Sequence, residues 1–398
     1  MAESGIDAAN VRREVRGTRR ARWRRVIALS FAPRAVLVLL VASAVGCAAP
    51  IGSQSPAAST ASAGSPAVAS PPAASPSDTV TLRFAVSDDR GRPSQSAVDT
   101  FVNEVSTRSS GSIIVTPTFN AGSATTEPEV GVAGLVQSGT ADLGLVGSRA
   151  WDLAGVTRLQ VLQTPFLISD DELATQVAQS EVAAQAMDGL ADIGVTGLAV
   201  WPEDLRHPFS FKRDEPLVSP SDFEGATILV QPSALSRALI EALGGTVYTG
   251  DDRDSDVAAG LLHGAESGLQ QGASLPGKPT ATANVVFYPK FQILVANSEA
   301  FDALTDPQRD ILRAAAEATQ EHAITTRPTE ADAAAEWCAA GGNIVHSTGE
   351  QVAAFEAAAK PILDQLVEAA GAAALIDEIV AIKARTDALP PPEPCTPG

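Results

Sequence analysis

The chain has 398 residues, with 28 Lys and Arg against 47 Asp and Glu, a net charge of −19 and only 5% aromatic residues. That length exceeds one ordinary domain and implies two lobes. Such acidity excludes nucleic-acid binding and electrostatic docking on anionic lipid as functions.

Nine arginines between Arg12 and Arg34 precede Ala35–Val45, an uncharged, mostly apolar run. The run is shorter than the ~20 residues a spanning helix needs. Positive, then apolar, then small residues is the pattern of a signal peptide, here residues 1–46. Its end, Ala44-Val45-Gly46-Cys47, resembles a bacterial lipobox, which would make Cys47 the lipidated first residue of the mature chain; a soluble secreted form is the alternative. Removing residues 1–46 leaves 19 basic and 44 acidic residues. Residues 47–78 read as a disordered linker, because Ala48–Ser77 carry no charge and are almost entirely Ala, Ser, Pro, Gly and Thr.

The folded body opens with a strand, Val80–Val86, and a loop holding Asp89 and Arg90. A helix follows from Ser94 to about Thr107, with Val98, Phe101, Val102 and Val105 on one face. Ile113–Thr118 is a second strand, Glu129–Ser138 a helix, and Ala141–Val146 a third strand, after which come Ser148 and Arg149. Strands alternating with helices at this spacing predict a parallel sheet covered on both faces.

Leu198–Trp201 reads as a strand that ends at Pro202-Glu203-Asp204, which places Arg206 just past a strand end. Ligands of open α/β proteins bind outside the carboxyl ends of strands, and a guanidinium there can hold a carboxylate through two parallel hydrogen bonds. Arg206 is therefore either the leading site residue or a surface arginine paired with Glu203 or Asp204. Thr227–Gln231 is another strand, Ser233–Leu243 a helix with leucines repeating at four, and Val257–His263 a further helix. Phe287–Asn297 is a strand; of its opening aromatics Tyr288, with a hydroxyl, is the best placed to bind, while Phe287 and Phe291 suit a core. Helices are expected over Ser298–Leu304, from Asp306 toward Ala340 with a break at Pro328, over Gly349–Ala369 and over Ala372–Ala384.

Of three cysteines, Cys338 and Cys395 remain once Cys47 is set aside. Outside the cytoplasm they suggest a disulfide pinning the Pro390-Pro391-Pro392 tail, with two unpaired thiols as the alternative. No G-x-S-x-G elbow, H-E-x-x-H, P-loop or G-x-G-x-x-G occurs. Asp252, Asp254 and Asp256 have the spacing of a calcium loop, but Val257 and His263 stand where its glycine and closing acid belong. No enzyme, cofactor or metal is implied.

Several stretches together carry a resemblance. A tryptophan-bearing strand leads to Leu205-Arg206-His207, then to Pro216-Leu217-Val218-Ser219-Pro220-Ser221-Asp222-Phe223-Glu224-Gly225, then to Thr227-Ile228-Leu229-Val230-Gln231-Pro232. Earlier come Val136-Gln137-Ser138-Gly139-Thr140-Ala141-Asp142 and Thr164-Pro165-Phe166-Leu167; later come Gly264-Ala265-Glu266-Ser267-Gly268-Leu269-Gln270 and the run Ser298–Ala318. From about Thr79 to Ala384 the chain resembles the solute-binding subunits of TRAP-type (tripartite ATP-independent periplasmic) transporters, whose motifs these are. It departs where Leu229 replaces an arginine, Ser267 an aspartate and Gln270 a glutamate.

The resemblance implies an α/β, two-lobed periplasmic-binding-protein-like fold, with mixed sheets covered by helices and a long inter-lobe helix. Lobe I would comprise 79–203 and 291–335, lobe II 204–290 and 336–388, with a tail at 389–398. It implies an extracytoplasmic protein that captures a small organic, carboxylate-bearing solute and passes it to integral membrane subunits, driven by an ion gradient. Arg206 would be the anion contact, supported by Asp89, Arg90, Ser148, Arg149, Gln231, Ser267, Gln270 and Tyr288. With Leu229 apolar, either Arg206 alone holds a monocarboxylate, or Arg149 or Arg90 takes over, or the ligand is not a carboxylate. A sensor or scaffold lipoprotein of the same fold is the alternative function.

Overall fold

A computed structural model describes residues 79–125, 127–369 and 371–396. Residues 1–78, with the expected signal segment, linker and Cys47, lie outside the described residues.

The described chain begins as a βαβ unit. In β1 (Val80–Val86) exposed Thr81 and Arg83 alternate with buried Leu82 and Phe84. Helix α1 (Ser94–Arg108) turns Ala97, Val98, Phe101 and Val105 inward, and Phe101 meets Phe84 edge-on at 5.7 Å between ring centroids. β2 (Ile113–Thr118), α2 (Pro128–Gln137) and β3 (Leu143–Gly147) follow, and both strands lie parallel to β1 on its two sides. Two 3₁₀ turns, Ser148–Asp152 and Thr157–Gln163, lead to α3 (Asp171–Ala178) and α4 (Glu181–Met187).

β4 (Val195–Ser210) then runs for 16 residues. After it come β5 (Thr227–Leu229), α5 (Ala234–Ala242), β6 (Thr246–Val247), α6 (Arg253–Ala258), β7 (Gly264–Ser267), the single-turn α7 (Leu269–Gly272) and β8 (Thr280–Thr282). β9 (Tyr288–Asn297), α8 (Ser298–Asp302), α9 (Asp306–Thr326), α10 (Glu330–Ala339), β10 (Asn343–Val345), α11 (Gly349–Glu368) and α12 (Ala372–Arg385) complete the order.

One sheet has the order β2-β1-β3-β9-β4, the other β4-β7-β5-β6, with β8 joining the end of β4 to β10. β4 belongs to both. Its first part pairs antiparallel with β9, from Val195 opposite Asn297 to Arg206 opposite Tyr288; its last part pairs with β7, from His207 opposite Ser267 to Ser210 opposite Gly264. The two sheets are therefore joined by continuous strand, which makes a two-lobed mixed α/β fold.

This corrects two expectations. The strand does not stop at Pro202: a register shift between Pro202 and Asp204 absorbs the proline, which has no N–H to give, and the ladder resumes through Leu205 and Arg206. Arg206 thus lies within a strand rather than beyond its end. The helix expected over Val257–His263 is instead α6, which starts earlier because the Asp252 carboxylate caps it, accepting from Ser255 N at 3.1 Å. Asp254 and Asp256 fall in its first turn, where acids suit the helix dipole.

Helix α9 packs on α1 and β4, and α10 packs on α7 and β10, so the pair passes from one sheet to the other. Both start with capping boxes, Thr305 with Gln308 and Thr329 with Asp332, and Pro328 separates them. Cys338 of α10 is bonded to Cys395, and Ile344 of β10 exchanges backbone bonds with Cys395. Phe166, Phe223, Phe287 and Phe355 pack ring against ring in a core shared by the 3₁₀ turns, α3, α4, α5, α11 and α12. Among the described residues no helix is long and apolar enough to cross a membrane.

Candidate functional site

Along β4 and β9, charged side chains are buried. Arg206, on β4, is 2% exposed. Its Nε donates to the Glu266 carboxylate on β7, its Nη2 to the Glu266 carbonyl at 3.0 Å, and its Nη1 to both Asp204 oxygens at 3.3 Å. Lys290, on β9, donates to Glu203 at 2.6 Å and lies 3.7 Å from Glu129. Glu203 also accepts from Gln292 and, at 3.2 Å, from Gln271. Arg149, in the 3₁₀ turn after β3, donates from Nε and Nη2 to Glu129 of α2 at 2.9 Å each. Its Nη1 is buried without a partner.

Five carboxylates, of Asp88, Glu129, Glu203, Asp204 and Glu266, thus face three cations, Arg149, Arg206 and Lys290. Burial opposes the charge on Arg206, but Glu266 and Asp204 outweigh it and hold the guanidinium firmly protonated. Lys290 is raised for the same reason, against burial, chiefly by Glu203 and Asp88. Burial works to raise the Glu129 carboxyl, yet Arg149 and Lys290 prevail and bring it down to about 2. The Asp88 carboxyl is pushed up by burial, which Lys290 only partly offsets. Two glycines make room for these acids: a Cβ on Gly268 would sit 2.2 Å from an Asp204 oxygen, and one on Gly147 would sit 3.1 Å from the Glu129 carboxylate.

On one side of this cluster a cavity of about 240 Å³ is lined by Ser94, Trp201, Glu203, Gln270 and Arg327. A second, of about 410 Å³, is bounded by Glu127 and Pro128 of the first sheet's side and by Leu229, Gln231, Arg237 and Tyr248 of the second's.

The structure brings Arg149, Arg206 and Tyr288 together. Tyr288 is buried and donates to Ser236 Oγ at 2.6 Å; burial, reinforced by Glu266, pushes its hydroxyl pKa up. Gln231 gives its backbone N–H to Glu266 at 3.5 Å, Ser267 neighbours that acid, and Gln270 lines the smaller cavity. Ser148 accepts from Gln163 at 3.4 Å. Asp89 and Arg90 are exposed, and Arg90 stacks 4.4 Å over Phe119 instead of joining the cluster. Leu229 is buried beside the larger cavity.

Sequence reasoning passed over Glu129, Glu266 and Lys290, and offered Glu203 only as a partner for Arg206, whereas it pairs with Lys290. The signal available was a charge inside an apolar strand: Lys290 within Phe287–Asn297 and Glu266 between Ala265 and Ser267. It also passed over Asp152, which accepts from Ser233 Oγ at 2.7 Å and from the N–H groups of Ala234 and Leu235, capping α5 from another part of the chain.

Two sheets joined by crossing strands, with cavities and buried charge at the junction, define a two-lobed solute-binding protein. Residues 84–249 and 282–370 match the family model for DctP, bacterial extracellular solute-binding protein, family 7, and the chain belongs to that family, the solute-binding proteins of TRAP-type transport. The C4-dicarboxylate-binding periplasmic protein DctP of Rhodobacter capsulatus is 27% identical over 239 residues, 58% of this chain and 69% of that protein. A TRAP periplasmic solute-binding protein of Ralstonia eutropha, crystallised with (S)-2-acetolactate, superposes with a TM-score of 0.67 at 20% identity, covering 77% of this chain and 99% of that one. Another from Chromohalobacter salexigens, with D-glucuronate, gives 0.64 at 20% identity over 76% and 99%. At such identities the two structures establish the fold alone.

Proposed function

We propose that this chain captures a small carboxylate-bearing organic solute between its two sheets and presents it to the integral membrane subunits of a TRAP-type transporter, without transforming it. A lipid on Cys47 would keep it at the outer face of the cytoplasmic membrane. The observation that supports this most is the burial together of three cations in a family 7 protein: Arg206 on the strand shared by both sheets, Lys290 on its neighbour β9, and Arg149 in the turn after β3. Burying a charge is costly unless something compensates it, so such residues mark a site. Ser148, Gln231, Ser267, Gln270 and Tyr288 would supply the polar surround, and Asp89 and Arg90 an outer rim. The molecules held by the Ralstonia and Chromohalobacter proteins are themselves carboxylates.

A thermal-shift screen of the purified chain against hydroxy acids, sugar acids, neutral sugars and polyols tests the reading. At a hundred times its dissociation constant a ligand stabilises by about 2.7 kcal/mol, a shift of several degrees. Shifts with acids, lost on Arg149→Ala, are expected; shifts confined to neutral compounds would overturn the carboxylate assignment.

A further inference from the structure

Arg206 is already bonded to a carboxylate of its own chain. With side chains 3% and 0% exposed, Arg206 and Glu266 form a sealed pair, and Asp204, also 3% exposed, closes Nη1. A solute carboxylate could reach that guanidinium only by displacing Glu266 into a cluster that already holds more acids than cations. Arg149 differs. Glu129 takes two of its nitrogens, while Nη1, on a residue only 5% exposed, keeps an unused donor. The 60-residue separation of Arg206 and Glu266 shows that the pairing is made by the fold, β4 lying against β7, and not by local sequence.

Resting on the solute-capture reading above, we propose that Glu266 is a specificity-determining residue. It serves as a built-in carboxylate for Arg206, so that the cleft takes solutes bearing one carboxylate, received by Arg149 Nη1, and rejects those bearing two. Like charges brought together in a water-poor site repel strongly, so a second solute carboxylate could take Arg206 only by displacing Glu266 beside Asp204, while Lys290 already faces Glu203.

Calorimetric titration with matched acids tests this: D-glucuronate with D-glucarate, D-galacturonate with galactarate, and butanoate with succinate. Four full-length proteins are compared: the wild type, Glu266→Gln, Arg149→Lys, and the double replacement of Arg206→Met with Glu266→Met. The double variant removes a buried ion pair as a unit and carries Asp204→Asn as well, so that no buried carboxylate loses its cation and the fold stays testable if Glu266→Gln alone is unstable. In at least one pair the wild type should bind the monoacid tenfold or more tighter than the diacid, and Glu266→Gln should cut that ratio at least tenfold. The double variant should cut the ratio as Glu266→Gln does, whereas Arg149→Lys should lose the monoacid. An unchanged ratio in Glu266→Gln overturns the proposal, as does monoacid binding kept by Arg149→Lys. Failure of all four proteins to bind any acid is a separate result: it removes the carboxylate-capture reading, and this proposal with it.

Discussion

The Glu129 carboxylate receives two parallel hydrogen bonds of 2.9 Å from Arg149 and also faces Lys290 at 3.7 Å. Removing its charge leaves two buried cations short of compensation, a loss on the order of 3–5 kcal/mol for a buried pair. Glu129→Gln should lower the melting temperature by several degrees, measured by calorimetry at pH 7. The same residue has a pH signature. Its folded pKa, about 2, lies below the ordinary carboxylate value of about 4.3, so its stabilisation is complete above about pH 4.3 and is lost as pH falls toward 2. The wild type should lose more stability across that window than Glu129→Gln; equal losses would count against the assignment.

His207 gives the opposite sign. Its Nδ1 lies 2.9 Å from the Val285 carbonyl and its Nε2 2.9 Å from the Glu330 carboxylate. Two acceptors require both ring nitrogens to donate, hence a protonated imidazole. Burial opposes that charge, but Glu330 prevails and the pKa is raised. The stabilisation is full below the unfolded value of about 6.5 and disappears as pH rises through the folded value. Melting temperatures taken from pH 5.5 to 9 should decline in the wild type and flatten in Glu330→Gln.

Asp152 accepts three hydrogen bonds from the start of α5 while only 8% exposed. Asp152→Ala strips a cap and leaves buried donors unpaired, so a destabilisation of about 2 kcal/mol is expected in urea titration, with an unchanged m-value.

The bond between Cys338 and Cys395 spans 57 residues of sequence. Replacing both by serine should cost about 2–4 kcal/mol if the whole loop is constrained in the unfolded chain. The double serine variant should also be cut by protease within residues 386–396 faster than the oxidised wild type. Identical cleavage would show that the tail is held by His346 and β10 alone, through the 2.7 Å contact to the Pro392 carbonyl and the Ile344 backbone bonds.

By itself the sequence determined what is local. The strand at Val80–Val86, the four-residue spacing in α1 and α5 and the break at Pro328 each depend on neighbours within a few residues, and each appears in the structure where periodicity places it, whereas the cap expected at Asp306 falls one residue earlier, on Thr305. Family motifs added the two-lobed architecture. Tertiary structure alone decided the course of β4 and the state of Arg206. Pro202, Glu203 and Asp204 have the local character of a strand end, and only pairing with β9, some 90 residues on, carries the strand past them. Arg206 beside Asp204 looked like a choice between a solute clamp and a surface pair, because in sequence nothing shows how much water surrounds a side chain. Burial between two sheets removed that water and brought Glu266 onto the guanidinium, and the energy of a charge depends first on which other charges share its dry surroundings.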